Sequence, residues 1–163
     1  MHLWSTNVSE EHFADIEKLK DIGYDGIEIF LAEPDRVNYE NIGSFLKSID
    51  LEVNGCLGLG PDQDPISTDA SIRQAGLDKI KEAIDNMHAA GGRNICGPFH
   101  SAFATFSRDE PQGDEYKRSA EVLHAAAEHA AAKPAALAAA AAAAASAAAN
   151  LMKEQNTTTT TTY

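Results

Sequence analysis

Cysteine is scarce in this chain: Cys56 and Cys96 are the only two among 163 residues. A small disulfide scaffold needs more, so a reducing, cytoplasmic setting is expected. No apolar leader follows Met1, which points the same way. Without a leader, the triplets Asn7-Val8-Ser9 and Asn156-Thr157-Thr158 are read as chance matches to a glycosylation site. No varied apolar run reaches the roughly 18 residues that a membrane span needs. Positive charge is also in deficit. Lys and Arg total 13 against 25 Asp and Glu, a formal net charge of -12. Nucleic acids and anionic membrane surfaces are bound chiefly through Lys and Arg, so neither partner is expected. A polar, uncharged small molecule remains compatible.

What is present divides into two parts. From Ala125 to Ala149, 19 of 25 residues are alanine, and Thr157 to Thr162 is an unbroken threonine run. The composition changes abruptly inside a helical pattern. That favours placeholder residues over natural low-complexity sequence for 134–163, and no chemistry is read there. His124, Glu128 and His129 miss the spacing of a zinc-binding H-x-x-E-H helix by one residue.

Residues 1–133 alternate apolar strand, polar loop and amphipathic helix. Strands are expected near 2–5, 26–30, 52–57 and 93–97. Ser9 caps a first helix in which Phe13, Ile16, Leu19 and Ile22 are expected to face inward, and Gly23 stops it. Ile42, Phe45, Leu46 and Ile49 mark a second helix. Ile72, Leu77, Ile80, Ile84 and Met87 mark a third, which Thr68 or Asp69 starts and Gly91-Gly92 ends. Tyr116, Ala120 and Leu123 mark a fourth, which Asp114 opens. Such alternation implies parallel pairing with right-handed crossovers. A dinucleotide-binding sheet would place G-x-G-x-x-G after its first strand, whereas the loop here reads WSTNVSE. The remaining architecture is a (β/α)8 TIM barrel. At roughly 31 residues per unit, residues 1–133 supply its N-terminal half, and four further strand–helix units are expected to complete it.

Barrel chemistry sits at the carboxyl ends of the strands. Trp4, Glu28, Cys56, Gly97, Pro98 and His100 lie at those ends and are the candidate substrate-binding residues. Glu28 stands between Ile27 and Ile29, so it points the opposite way from both. It serves either a ligand or an interior ion pair. Trp4 walls a sugar ring or plugs the barrel, Cys56 packs or reacts, and His100 lines a loop or faces solvent. Neither a metal quartet nor a catalytic triad can be assembled from them.

The stretches HLWST, GYDGIEIF, CLGLGPDQDPISTDASIRQAGLDKIKEAID and ICGPFHSAFATFS resemble the xylose-isomerase-like barrels, the sugar phosphate isomerase/epimerase group. Among these they are most similar to the ketose 3-epimerases of the D-tagatose and D-allulose type. GYDGIEI alone is shared across the superfamily, so hydroxypyruvate isomerase and inosose dehydratase stay open. So does a catalytically inactive binding or assembly module. The resemblance implies epimerisation at C3 of a ketose through an enediolate, with a divalent manganese, magnesium or cobalt ion held by two Glu, an Asp and a His. It places all four ligands on the fifth to eighth strands, beyond the readable residues, so no metal ligand is assigned here. A small sugar and further copies of the chain, as a homo-oligomer, are the expected partners.

Overall fold

A computed structural model describes residues 5–105, 110 and 112–133. The expected first strand, Trp4 and the segment 134–163 lie outside the described residues. The chain divides into two compact units. One comprises Met1–Leu57 and Lys81–Gly97; the other comprises Gly58–Ile80 and Pro98–Tyr163. Among the described residues, no helix is long and apolar enough to cross a membrane.

The first unit holds a three-stranded sheet. Strands β1 (Gly26–Phe30), β2 (Glu52–Cys56) and β3 (Ile95–Cys96) pair in parallel in that order. Neighbours in sequence are neighbours in the sheet, as expected of a barrel. The third segment is shorter than expected because Gly97 adopts φ +119°, which an extended ladder cannot continue through. Hydrogen bonds from Gly55 N to Asn94 O (2.9 Å) and from Leu57 N to Cys96 O (2.9 Å) extend the pairing on both sides.

Register separates the two faces of this sheet. Ile27 pairs with Val53, and Ile29 with Gly55, which in turn pairs with Ile95. Ile27, Ile29, Val53 and Gly55 are buried, and each buried Ile or Val contributes roughly 1.5–3 kcal/mol. The other face carries Glu28 opposite Asn54, and Phe30, Cys56 and Cys96 in one row. It is half-buried to exposed. A parallel sheet covered on both faces reads as continuous apolar runs, whereas this polar alternation marks one face for a different use.

Helices α1 (Phe13–Ile22) and α2 (Arg36–Ser48) complete the first unit with the second half of α3 (Ala70–Ala89). A single 3-10 turn, Glu10–His12, precedes α1. There Ser9 N donates to His12 Nδ1 (3.2 Å). Gly23, at φ +105°, ends α1 as expected, with Tyr24 N donating to Leu19 O. Ile16 is fully buried, but Ile22 is 73% exposed among the described residues. The inward expectation for Ile22 is therefore corrected. Six residues at 100° each place it about 120° around the helix from Ile16. Phe13 and Phe45 join α1 to α2, their rings stacked at 3.8 Å. Met87 and Gly92 pack beneath β2, and a Cβ on Gly92 would come within 2.9 Å of Val53 O.

Tyr39 of α2 is buried, and its hydroxyl meets no hydrogen-bond partner among the described residues. Burial pushes its phenol up to about 12, although the Glu33 backbone lies near enough to oppose this. A buried unsatisfied hydroxyl costs roughly 1–3 kcal/mol, so Tyr39→Phe should stabilise the protein by about 1 kcal/mol in urea unfolding. The raised pKa means that the unfolded chain loses this proton first. Stability is therefore full below pH 10 and falls as pH rises toward 12, and this alkaline loss should shrink in the variant. Destabilisation by more than 1 kcal/mol would mean that the hydroxyl has a partner.

In the second unit, Asp69 caps α3, its Oδ1 accepting from Ser71 N at 2.8 Å. Helix α4 (Gly113–Ala131) buries Ser119, Val122, Leu123, Ala126 and Ala130. Tyr116 and Ala120 are only half-buried, so its inward stripe runs one residue away from the expected Tyr116–Ala120 line.

Candidate functional site

The polar face of the sheet converges on three side chains. The Glu28 carboxylate, Cys56 Sγ and Cys96 Sγ all lie within 4.8 Å of one another. Strand alternation turns Glu28 away from Ile27 and Ile29. Direct register pairing then places Cys56 beside Cys96. Cys96 Sγ donates to Glu28 Oε2 at 3.0 Å. One row down, Asn94 Nδ2 donates to Asn54 Oδ1 at 3.2 Å, which continues the polar face.

Charge decides the state of the two thiols. The hydrogen bond to the Glu28 carboxylate, followed by desolvation, pushes the Cys96 thiol up to about 12. Desolvation first, then the same carboxylate, raises Cys56. Both cysteines are free and protonated at neutral pH, so neither is a thiolate nucleophile. An exposed thiol with an ordinary pKa alkylates readily. Cys96 is exposed yet should react with iodoacetamide at pH 7.5 on the order of 10²-fold or more slower than a free cysteine, accelerating only well above pH 9. Rapid modification of Cys96 at pH 7.5, read by peptide mass mapping, would contradict the assignment of its proton.

Gly97 closes the first unit. Its φ of +119° suits glycine, and a Cβ there would collide with the Leu57 carbonyl oxygen. The chain thus turns sharply one residue after Cys96.

The loop continuing from this turn belongs to the second unit and is fastened within it. Leu59 bridges Ala102 in parallel, and Phe103 N donates to Leu59 O at 2.8 Å. Asp64 Oδ1 accepts from Ile66 N (3.1 Å) and Ala102 N (3.0 Å). From α4, Arg118 Nε donates to Ile66 O and Ser119 Oγ to His100 O, both at 2.7 Å. Asp64 is therefore a loop clamp. His100 is held by its backbone while its residue stays exposed, and Pro98 is half-buried.

The structure thus brings Glu28 and Cys56 together and adds Cys96, which the sequence places only within the expected strand near 93–97. The available signal was its place in the row shared with Cys56, which emerges once the register is known. Pro98 and His100 belong to the other unit. A cavity lined by Gly43, Leu46, Leu51, Glu52 and Ala90 lies at the amino end of β2 and shares no residue with the Glu28, Cys56 and Cys96 cluster.

Comparisons with known proteins agree with this architecture. Residues 16–139 match the family described as xylose isomerase-like TIM barrel. An L-ribulose 3-epimerase of Methylomonas sp. (strain DH-1) is 32% identical over 84 residues, 52% of this chain and 29% of the relative. An L-ribulose 3-epimerase of Mesorhizobium japonicum is 25% identical over 129 residues, 78% of this chain and 43% of the relative. Among solved structures, a D-allulose 3-epimerase from Methylomonas sp. in complex with D-allulose superposes with a TM-score of 0.69 at 28% identity. That match covers 80% of this chain and 45% of the other. The chain spans less than half the length of these relatives.

Proposed function

The chain belongs to the xylose isomerase-like TIM barrel family, and from that membership we propose that it supplies the N-terminal half of a sugar isomerase, specifically a ketose 3-epimerase acting in the cytoplasm. The observation that carries this reading is the superposition of 79% of the chain on an L-ribulose 3-epimerase, with a TM-score of 0.71 at 25% identity. In this reading Glu28 accepts hydrogen bonds from sugar hydroxyls, and Cys56 packs beside the ligand. Gly97 and Pro98 shape the rim, with His100 and Trp4 as further contacts. An uncharged sugar is compatible with a net charge of -12, which would disfavour a phosphorylated one.

The divalent ion implied by the resemblance is a hard cation that prefers oxygen ligands. Glu28 offers oxygen, but Cys56 and Cys96 offer sulfur, so this cluster does not suit manganese or magnesium. The proton transfers at C3 are accordingly assigned to residues beyond the described part of the barrel. What Glu28, Cys56 and the loop contribute is binding and orientation.

The test incubates the purified full-length protein with L-ribulose or D-allulose in deuterium oxide. Epimerisation through proton removal predicts a C3 epimer carrying deuterium at C3. Retention of the starting ketose by folded protein, with no exchange at C3, would defeat the reading.

A further inference from the structure

We propose that Glu28, Cys56 and Cys96 form a binding site for one thiophilic divalent cation of the zinc type. The proposal rests on sulfur ligation, which the epimerase reading does not need, although Glu28 and Cys56 serve in both. Three potential ligand atoms, one carboxylate oxygen and two sulfurs, already lie within 4.8 Å of one another. A tetrahedral zinc ion with about 2.3 Å to sulfur and about 2.1 Å to oxygen separates its ligand atoms by roughly 3.5–3.8 Å. The cluster therefore reaches that geometry with shifts of about an ångström or less. Cys96 Sγ and Glu28 Oε2 are already closer, at 3.0 Å, because a proton joins them.

The rigid parts of the site favour the ion. Cys56 and Cys96 are register partners on paired strands, so their Cβ atoms are fixed by backbone hydrogen bonds. Glu28 reaches them on a side chain from the same sheet. Binding expels two thiol protons to solvent as two metal–sulfur bonds form, and the Glu28 carboxylate completes three ligands. The fourth tetrahedral position falls to water. Two sulfurs select zinc, cadmium or cobalt over magnesium and manganese.

Cobalt is the probe, because thiolate ligation gives it an intense near-ultraviolet charge-transfer band that oxygen and nitrogen ligands do not give. Fully reduced full-length protein, titrated anaerobically with Co2+, should develop this band to one equivalent. Zn2+ or Cd2+ should abolish it, and a large excess of Mg2+ should not. Cys56→Ser and Cys96→Ser should each weaken binding by about 100-fold or more, and Glu28→Gln by about 10-fold or more. A normal melting temperature in the Cys96→Ser variant would separate lost ligation from misfolding. Absence of the band from reduced, folded protein overturns the proposal, as does its persistence in the double cysteine variant. The cobalt band is read without ketose, so its outcome is distinguishable from that of the deuterium-exchange test of epimerisation.

Discussion

Gly97→Ala should lower the stability of the protein by about 3 kcal/mol or more, enough to deplete the folded state of an ordinary domain. Two penalties act together. At φ +119° the backbone sits where residues with a Cβ are strained, a cost of roughly 1–3 kcal/mol. The added methyl would also run into the Leu57 carbonyl oxygen, with Leu57 N and C only 3.1 Å away. Forcing atoms into a filled space costs roughly another 1–3 kcal/mol. The obstacle is backbone, so no rotamer change relieves it. Leu57 also donates its N–H to Cys96 O, so any retreat of Leu57 loosens the junction between β2 and β3. Urea unfolding with intrinsic fluorescence measures the effect. A loss below 1 kcal/mol would mean that the turn can be rebuilt without glycine.

The elements legible in the sequence were those with a strong period. GIEIF announces a strand by alternation and EVNGC repeats it, and both appear at the expected positions. Gly23 and Gly91-Gly92 announce helix ends by chemistry, and Gly23 and Gly91 adopt positive φ. Local pattern fails where the answer depends on partners. Cys96 belongs to a two-residue strand, too short for alternation to assign its face. Its pairing with Cys56 and its contact with Glu28 follow from inter-strand register, which a single sequence does not encode locally. Ile22 illustrates the opposite error. A run of apolar residues every third position drifts around a helix of 3.6 residues per turn. The last member consequently left the buried face. Asp64 carries no sequence pattern that announces its role, yet its carboxylate ties the nearby amide of Ile66 to the sequence-distant amide of Ala102.

Under the proposed epimerase function, Glu28→Gln should reduce kcat/KM for the ketose by about 10- to 100-fold while changing folding stability by less than about 1 kcal/mol. Hydrogen bonds to an ionised partner contribute roughly 1.5–3 kcal/mol each, and each 1.36 kcal/mol is tenfold in rate. Glutamine keeps the shape and one acceptor oxygen but removes the charge that sugar hydroxyls would meet. The fold has little reason to respond, because Glu28 is half-buried on the polar face and the buried core lies on the other side of β1. A readout independent of turnover is available in Cys96. Its thiol is pushed up to about 12 first by the hydrogen bond to Glu28, so neutralising that carboxylate lowers the Cys96 pKa toward the ordinary value. Alkylation of Cys96 at pH 8.5 should then run faster in the variant than in the parent. Faster alkylation with a large loss of kcat/KM and an unchanged melting temperature supports a ligand-facing carboxylate. A fall in melting temperature with unaltered kinetics per folded molecule would instead make Glu28 a structural hydrogen-bond partner and remove it from the binding site.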